Sequence, residues 1–280
     1  MAACKLCGKK GLFLKLNKDG YCDACAQRLA AAAEEAEKRR KKAEEERQRK
    51  TKAAQEELHA IPLAGIKLAE DGPKRKSGFE EPKYSNITPK GSFESIVVID
   101  TETTGLAPSK DRIIELAAVK FDNGRPVAAF HTFVNPEKPL SAEAQSINKI
   151  TENQLKDAPT ISAVLPAFDE FVGSKSIVVG HNLEFDLKFL YYSGSSILDG
   201  KNKLIDTCAQ AKRTLKAPKM KYDKEYDIWE KDWEGDYDVD DYKLETLCEY
   251  YNIINPEQHS ALSDAYATGK LFNRLVLEKQ

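Results

Sequence analysis

The chain has 280 residues, 41% of them hydrophobic and 31% charged, with a formal net charge of −2. With 15 glycines and 12 prolines it is neither collagen-like nor wholly disordered, and no apolar run approaches the ~18 residues of a membrane span. The small net charge hides a split: residues 1–92 carry 21 Lys and Arg against 14 Asp and Glu, whereas residues 93–280 carry 22 against 31. The two parts are therefore expected to have different partners.

At about 150 residues per domain, the length suits one full domain and something smaller. The start, MAACKLCGKKGLF, lacks a signal-peptide apolar region, so a cytoplasmic protein is expected. In that compartment six cysteines point to metal binding or catalysis before disulfides.

Residues 1–26 hold Cys4 and Cys7, then Cys22 and Cys25, two C-x2-C pairs with 14 residues between them. Four thiolates converging on one cation make a tetrahedral zinc site. A redox C-x-x-C normally belongs to a longer βαβ unit, which this segment is too short to form. A module of about 25 residues cannot fold on apolar burial alone, so one structural Zn²⁺ would supply its folding energy. Phe13 and Tyr21 read as its miniature core. Lys5, Lys9, Lys10, Lys15 and Lys18 are candidate contacts to nucleic acid, although such ribbons also bind proteins.

Residues 27–60 contain no Gly or Pro and are rich in Ala, Glu, Lys and Arg, which predicts a long charged helix. Glu35 and Arg39, Glu37 and Lys41, and Glu45 and Arg49 are i,i+4 pairs in the favourable order. Its alanine-rich faces make a poor coiled-coil seam. A solvated spacer is the plainer expectation, with docking on a protein partner as the alternative. Residues 61–92, punctuated by Pro62, Gly65, Gly72, Pro73, Gly78, Pro82, Pro89 and Gly91, read as a flexible linker.

From residue 93 the chain reads as globular. SIVVID is a buried strand ending in an acid. IIELAAVKF and PVAAFHTFV flank Asn123-Gly124 as a hairpin. SAVLPAFDEFV reads as a helix closed by Gly173. SIVVG reads as a strand leading into a helix through Phe185 and Leu190, and a last helix begins near Ser260. This order predicts an α/β domain on a mixed sheet over 93–280. Residues 217–242 interrupt it, with ten acids against two lysines from Asp223 to Asp241. There Trp229 and Trp233 are spaced to share a helical face with Tyr226. Cys208 and Cys248 read as buried thiols.

Asp100 and Glu102 are two apart at a strand end, so both carboxylates leave on one face. Asp186 follows Asn182 by one helical turn. His259 precedes Asp264 by five residues, a poor spacing for one helical face, so the histidine is expected on a loop or at the helix start.

Taken together, DTETTGL, GHNLEFD and H-x4-D resemble, in this order, the three motifs of the DEDDh 3′–5′ exonucleases, the family that includes the proofreading epsilon-type subunits of replicative DNA polymerases. The resemblance covers residues 93–280. It implies a ribonuclease-H-like fold and hydrolysis of phosphodiester bonds at a 3′ end of nucleic acid. It further implies that Asp100, Glu102, Asp186 and Asp264 hold two Mg²⁺ or Mn²⁺, with His259 taking the proton from the attacking water. Thr103, Gly105, Leu106, His181, Asn182 and Phe185 would flank the terminal nucleotide, and Glu143 would bond its sugar. Where the family often has a histidine in I-H-G-I-T, this chain has Asn148, which puts one substrate contact in doubt.

The chemistry of the residues agrees. Converging carboxylates repel one another without cations, hard oxygen ligands suit Mg²⁺ and Mn²⁺, and a histidine titrates near neutrality. The expected substrate is single-stranded or frayed DNA, with RNA open. The competing expectation is an adaptor that works through its zinc ribbon, with the nuclease domain as scaffold.

Overall fold

The computed structural model describes residues 3–11, 14–76, 93–223, 228–232 and 234–277. The chain divides into two compact units, Met1–Ala53 and Ala54–Gln280.

In the smaller unit, Cys4, Cys22 and Cys25 are buried, with Leu14, Leu16 and Tyr21 packed against them. Two single bridges, Ala3 with Lys10 and Leu16 with Cys22, tie the loops. Phe13 lies outside the described residues. Helix α1 (Asp23–His59) begins four residues before the expected start, so Cys25 sits in its first turn. Salt bridges join Glu35 to Arg39 at 2.6 Å, Glu37 to Lys41 at 2.8 Å and Glu46 to Lys50 at 2.9 Å, all solvent-exposed. Each adds only a few tenths of a kcal/mol, so this part of the helix rests on intrinsic propensity. Among the described residues, no helix is long and apolar enough to cross a membrane.

The larger unit is built on five strands. Strand β1 (Ser95–Thr103) pairs antiparallel with β2 (Ile113–Asp122), which pairs antiparallel with β3 (Arg125–Phe133). Asn123 and Gly124 both have positive φ, 45° and 76°, which matches the twist of a two-residue hairpin. Three helices follow: α2 (Ala142–Asn148), α3 (Glu152–Leu155) and α4 (Ile161–Val172). Strand β4 (Ile177–Gly180) then lies parallel to β1. Helix α5 (Glu184–Ser193) leads to β5 (Lys203–Asp206), parallel to β4. The sheet order is β3-β2-β1-β4-β5, a mixed sheet within an α/β fold as the sequence predicts. The chain continues as α6 (Thr207–Thr214), a hairpin of β6 (Met220–Asp223) and β7 (Ile228–Lys231), then α7 (Leu244–Tyr250) and α8 (Ala261–Leu277).

Side-chain alternation along β1 divides the core. Val97 and Ile99 join Leu165 and Phe168 of α4 and Leu187 and Leu190 of α5 in one layer. Ile96 and Val98 join Ala265, Tyr266 and Phe272 of α8 in the other, together with Leu58 from the end of α1 and Ile61. Helix α8 comes close because residue 269 is glycine: a Cβ there would stand 2.2 Å from the Phe121 ring.

Two segments differ from the sequence expectation. Of the supposed linker, only residues 61–76 are described, and they are bonded to the larger unit. Ala64 N–H donates to the Ala129 carbonyl at 2.7 Å, Ala69 N–H to Ala163 at 2.9 Å and Lys76 N–H to Tyr192 at 2.9 Å. Ile66 packs on the α4–α5 core. Punctuation by Gly and Pro marks non-helical backbone, and here that backbone is an extended strap. The acidic insertion forms a strand pair in which Trp229 sits opposite Tyr222, with ring centroids 5.3 Å apart. This replaces the helical face expected around Trp229, because β-propensity of the aromatic residues and cross-strand pairing prevail there. Tyr226 and Trp233 lie outside the described residues.

Replacing Gly269 with Ala should destabilise the larger unit by about 1–3 kcal/mol, the usual result of overpacking a core. Urea denaturation checks this, and an unchanged midpoint would mean that α8 does not approach β2 as closely as the structure has it.

Candidate active site

The alternation that divides the core also places the acids. Asp100 and Glu102 follow Ile96 and Val98 onto the α8 face of β1. Thr101, on the opposite face, donates its hydroxyl to Asp186 Oδ1 at 2.7 Å. Asp186 is 3% exposed and lies in the first turn of α5, just after a bend in which Asn182 has a φ of 59°. That bend is pinned from β5: the Asp206 carboxylate accepts the Asn182 N–H at 3.0 Å while capping α6 through the Cys208 N–H at 2.9 Å.

Asp264 stands in the first turn of α8, with its Oδ1 accepting from Asn255 Nδ2 at 2.5 Å. His259 precedes the helix, exposed and with a φ of 64°. A left-handed backbone at a non-glycine residue costs about 1 kcal/mol or more and persists only where its surroundings hold it. Here the hold includes Ser260, whose carbonyl accepts the Asp264 N–H at 2.8 Å and whose hydroxyl donates to Glu115 Oε1 at 3.1 Å. The result brings ligand atoms of Glu102, His259 and Asp264 within 4.8 Å of one another.

Electrostatics reflect the crowding. Burial, then the charges of Asp186, Asp264 and Glu102, hold Asp100 well above the ordinary carboxylate range. Burial, then Asp264 and Glu115, push Glu102 up to about 8. Burial raises Asp186 to about 7 against the opposing hydrogen bond from Thr101. Burial raises Asp264 to about 6, opposed by Asn255 and His259. Carboxylates that resist ionisation together, offering only hard oxygen donors, fit the coordination chemistry of Mg²⁺ or Mn²⁺.

The other candidates take varied positions. Thr103 is buried and its hydroxyl donates to the Gly105 carbonyl at 2.7 Å. Gly105 admits no side chain, since a Cβ would fall 2.5 Å from Asp111 Oδ2. Leu106 is 84% exposed, which excludes a core role. Phe185 is half-buried, with its ring 4.9 Å from that of Phe189. Glu143 is exposed in the first turn of α2.

His181, Asn182, Cys208, Lys212, Tyr242 and Lys243 line a cavity of about 540 Å³ that reaches His259 and Asp264. Cys208 is therefore only half-buried, whereas Cys248 is buried as expected. Both nitrogens of His181 are engaged: Nε2 lies 2.9 Å from the Tyr242 carbonyl and Nδ1 2.8 Å from the Thr207 hydroxyl. A carbonyl only accepts, so Nε2 carries a proton. Burial lowers the pKa of the ring, which favours the neutral form.

Sequence reasoning missed one residue here and the role of another. Glu115, 2% exposed, faces Glu102 directly across the β1–β2 ladder. Like charges opposite each other destabilise a sheet, and Glu115 is offset by His131 Nε2 at 2.8 Å. Its signal was available, as the one acid inside IIELAAVKF. Asn148 is buried, with its Nδ2 donating to the Thr103 carbonyl at 3.0 Å. It thereby fastens α2 to the end of β1 at the position where a substrate contact was in doubt.

In the smaller unit, the sulfurs of Cys4, Cys7, Cys22 and Cys25 all lie within 4.8 Å of one another, with Cys7 and Cys22 3.9 Å apart. A tetrahedron with Zn–S bonds of ~2.3 Å has edges of about 3.8 Å, so the four thiols fit zinc. Backbone N–H groups of Cys22 and Cys7 pull Cys4 down to about 6, whereas burial and the neighbouring thiols push Cys25 up to about 12.

A family model described as an exonuclease, RNase_T, matches residues 97–272. Among curated proteins, the PolC-type DNA polymerase III of Caldanaerobacter subterraneus subsp. tengcongensis is 35% identical over 197 residues, 70% of this chain and 12% of that protein. The PolC-type enzyme of Bacillus subtilis is 34% identical over 186 residues, 65% of this chain and 11% of that protein. The chain thus spans about an eighth of the length of these relatives. Among solved structures, E. coli exonuclease I in complex with a dT13 oligonucleotide is 20% identical, with a TM-score of 0.50 over 66% of this chain and 41% of that one. Exonuclease X in complex with 5′ overhanging duplex DNA is 26% identical, with a TM-score of 0.48 over 65% of this chain and 92% of that one.

The raised carboxylates make stability depend on pH. A folded-state pKa above the unfolded value means that the folded protein holds more protons, so stability is greatest at low pH and is lost as pH rises through the folded pKa. In buffer free of divalent cations, the melting temperature of the larger unit should fall between about pH 4, where unfolded carboxylates ionise, and about pH 8, the raised value of Glu102, with Asp264 and Asp186 contributing in between. Added Mn²⁺ should flatten the decline, and Glu102→Gln should raise the melting temperature at its alkaline end. A melting temperature that rises across this interval without cations would show that the carboxylates do not crowd one another.

Proposed function

The chain belongs to the RNase_T exonuclease family, and from that premise we propose that it is a metal-dependent 3′–5′ exonuclease that releases nucleoside monophosphates. One observation carries this reading: Asp100, Glu102, Asp186 and Asp264 converge from β1, α5 and α8, with His259 beside Glu102 and Asp264. These four carboxylates would hold two Mg²⁺ or Mn²⁺, which when bound supply charge neutralisation at the scissile phosphate and at the leaving 3′ oxygen.

His259 is the base. It is exposed on the loop before α8, so its imidazole can meet a water that enters with the substrate. Asp264 stabilises the imidazolium formed when that water gives up its proton. The water oxygen then bonds to phosphorus, the bond to the 3′ oxygen of the penultimate nucleotide breaks, and that oxygen takes a proton from solvent. Thr101 keeps the Asp186 carboxylate turned toward β1, and Asn255 fixes the Asp264 carboxylate through its Oδ1. Leu106, exposed beside Gly105, offers an apolar surface to the terminal base. Asn182 and the half-buried Phe185 flank that base from α5 and the bend before it.

DNA is the favoured substrate, because the curated relatives at 34–35% identity are DNA polymerases. A single-stranded or frayed 3′ end is the favoured form of that substrate. The smaller unit would carry one Zn²⁺ on Cys4, Cys7, Cys22 and Cys25. The exposed Lys5, Lys9, Lys10 and Lys15 on that unit fit contact with nucleic acid.

A panel of 5′-labelled single-stranded DNA, mismatched-end duplex and single-stranded RNA tests the proposal. With Mn²⁺ the wild type should give a ladder that shortens from the 3′ end, fastest on single-stranded DNA. Asp186→Ala should slow it by at least about 100-fold, and His259→Ala by about 10²–10⁴-fold. Wild-type rates in Asp186→Ala, or release of the labelled 5′ nucleotide first, would refute the assignment.

A further inference from the structure

The strap over residues 62–76 lies outside the stretch matched by the family model, yet it reaches the loop that follows Glu102. Its course is closely determined. Gly72 crosses α4 so tightly that a Cβ would stand 1.7 Å from the Ser162 carbonyl oxygen. Gly194, with a φ of 93°, leaves room for Pro73 and Lys74. The Lys76 ammonium lies 3.6 Å from the centroid of the Tyr191 ring, and the Lys76 N–H is bonded to Tyr192. Between these fastenings Arg75 extends its guanidinium across to residues 108–111, where Nη2 donates to the Asp111 carbonyl at 3.1 Å and to the Pro108 carbonyl.

The loop it meets is fastened from within as well. The Asp111 carboxylate accepts the Ala107 N–H at 3.0 Å and the Thr104 hydroxyl at 3.2 Å. The Asp111 N–H donates to the Ala107 carbonyl at 2.7 Å. Arg112 covers the Lys110 and Asp111 carbonyls at 2.8 Å and 3.0 Å. Out of this braced loop projects Leu106, more exposed than any other large apolar side chain described. An apolar side chain held in water on a fixed loop stabilises nothing in the free protein. Rigidity there reduces the ordering cost of binding.

We propose that the strap is part of the substrate site: Arg75 is a positioning residue that fixes the 104–111 loop, and with it Leu106, for contact with the 3′-terminal nucleotide. The proposal rests on the exonuclease reading for the identity of the ligand, but the brace itself does not. Both bonds come from one terminal nitrogen, so a lysine ammonium, with donors of its own but a different reach and shape, can replace them only in part. The strap thereby links the end of α1 to the loop that Leu106 occupies, within one compact unit.

The test uses the full-length chain and two readouts. Hydrogen exchange of amides 104–112 should quicken about tenfold in Arg75→Ala. Lys67→Ala, which removes an exposed charge from the same strap, should leave it unchanged. With single-stranded DNA and Mn²⁺, Arg75→Ala should raise KM about tenfold with kcat within about twofold. Arg75→Lys should recover part of that loss. Leu106→Ala should raise KM similarly, and the double variant should be no worse than either single one, because both act through one contact. Unchanged exchange in Arg75→Ala, or additive effects in the double variant, would overturn the proposal. A wild type without activity on any 3′ end would count against the exonuclease reading, and the exchange readout would still decide the brace.

Discussion

Four carboxylates held together in a half-buried site are the constraint on which the rest depends. They come from three elements, and two of them are held by neighbours with no charge of their own to offer: Asp186 by Thr101, Asp264 by Asn255. Left alone, such a cluster resists ionisation, and Glu102, Asp186 and Asp264 are all pushed well above the ordinary range. The fold therefore works against the local electrostatics. It can do so because the acids sit on the ends of elements whose cores are closed elsewhere, Ile96 and Val98 against α8, Val97 and Ile99 against α4 and α5. Divalent cations would turn that repulsion into binding energy.

The same logic explains the left-handed residues around the site. Asn182 and His259 both take positive φ without being glycine. Each is overdetermined: Asn182 by the Asp206 carboxylate, His259 by the helix start at Ser260 and its tie to Glu115. Glu115 links sheet and loop, since it faces Glu102, bonds His131 and holds Ser260. Strain of this kind is expected where a side chain must project at an angle that regular structure does not supply.

Much of this was legible in the sequence, and for identifiable reasons. The alternation in SIVVIDTET placed both acids on one face, and Asn123-Gly124 marked the hairpin. The five-residue interval between His259 and Asp264 placed the histidine outside the helix, where it stands. What was not legible depended on long-range pairing. Nothing local to residues 62–76 shows that their backbone bonds to Ala129, Ala163 and Tyr192. Trp229 has helical spacing to Trp233, but Tyr222 lies across from it on a neighbouring strand. Asn148 read as a missing histidine, whereas it serves the Thr103 carbonyl. The charge split noted at the outset also becomes more local: six acids between Glu230 and Asp240 belong to the hairpin and the turn after it.

Calorimetric titration of the full-length chain with Mn²⁺ in two buffers of different ionisation enthalpy would probe the carboxylate cluster directly. Cations that bind at carboxylates raised to between about 6 and about 8 must displace protons from them. Net proton release near pH 7 that diminishes toward alkaline pH, together with loss of binding in Asp100→Asn, is the predicted result. Binding without proton release, or equal binding by Asp100→Asn, would contradict a crowded carboxylate site that is completed by cations.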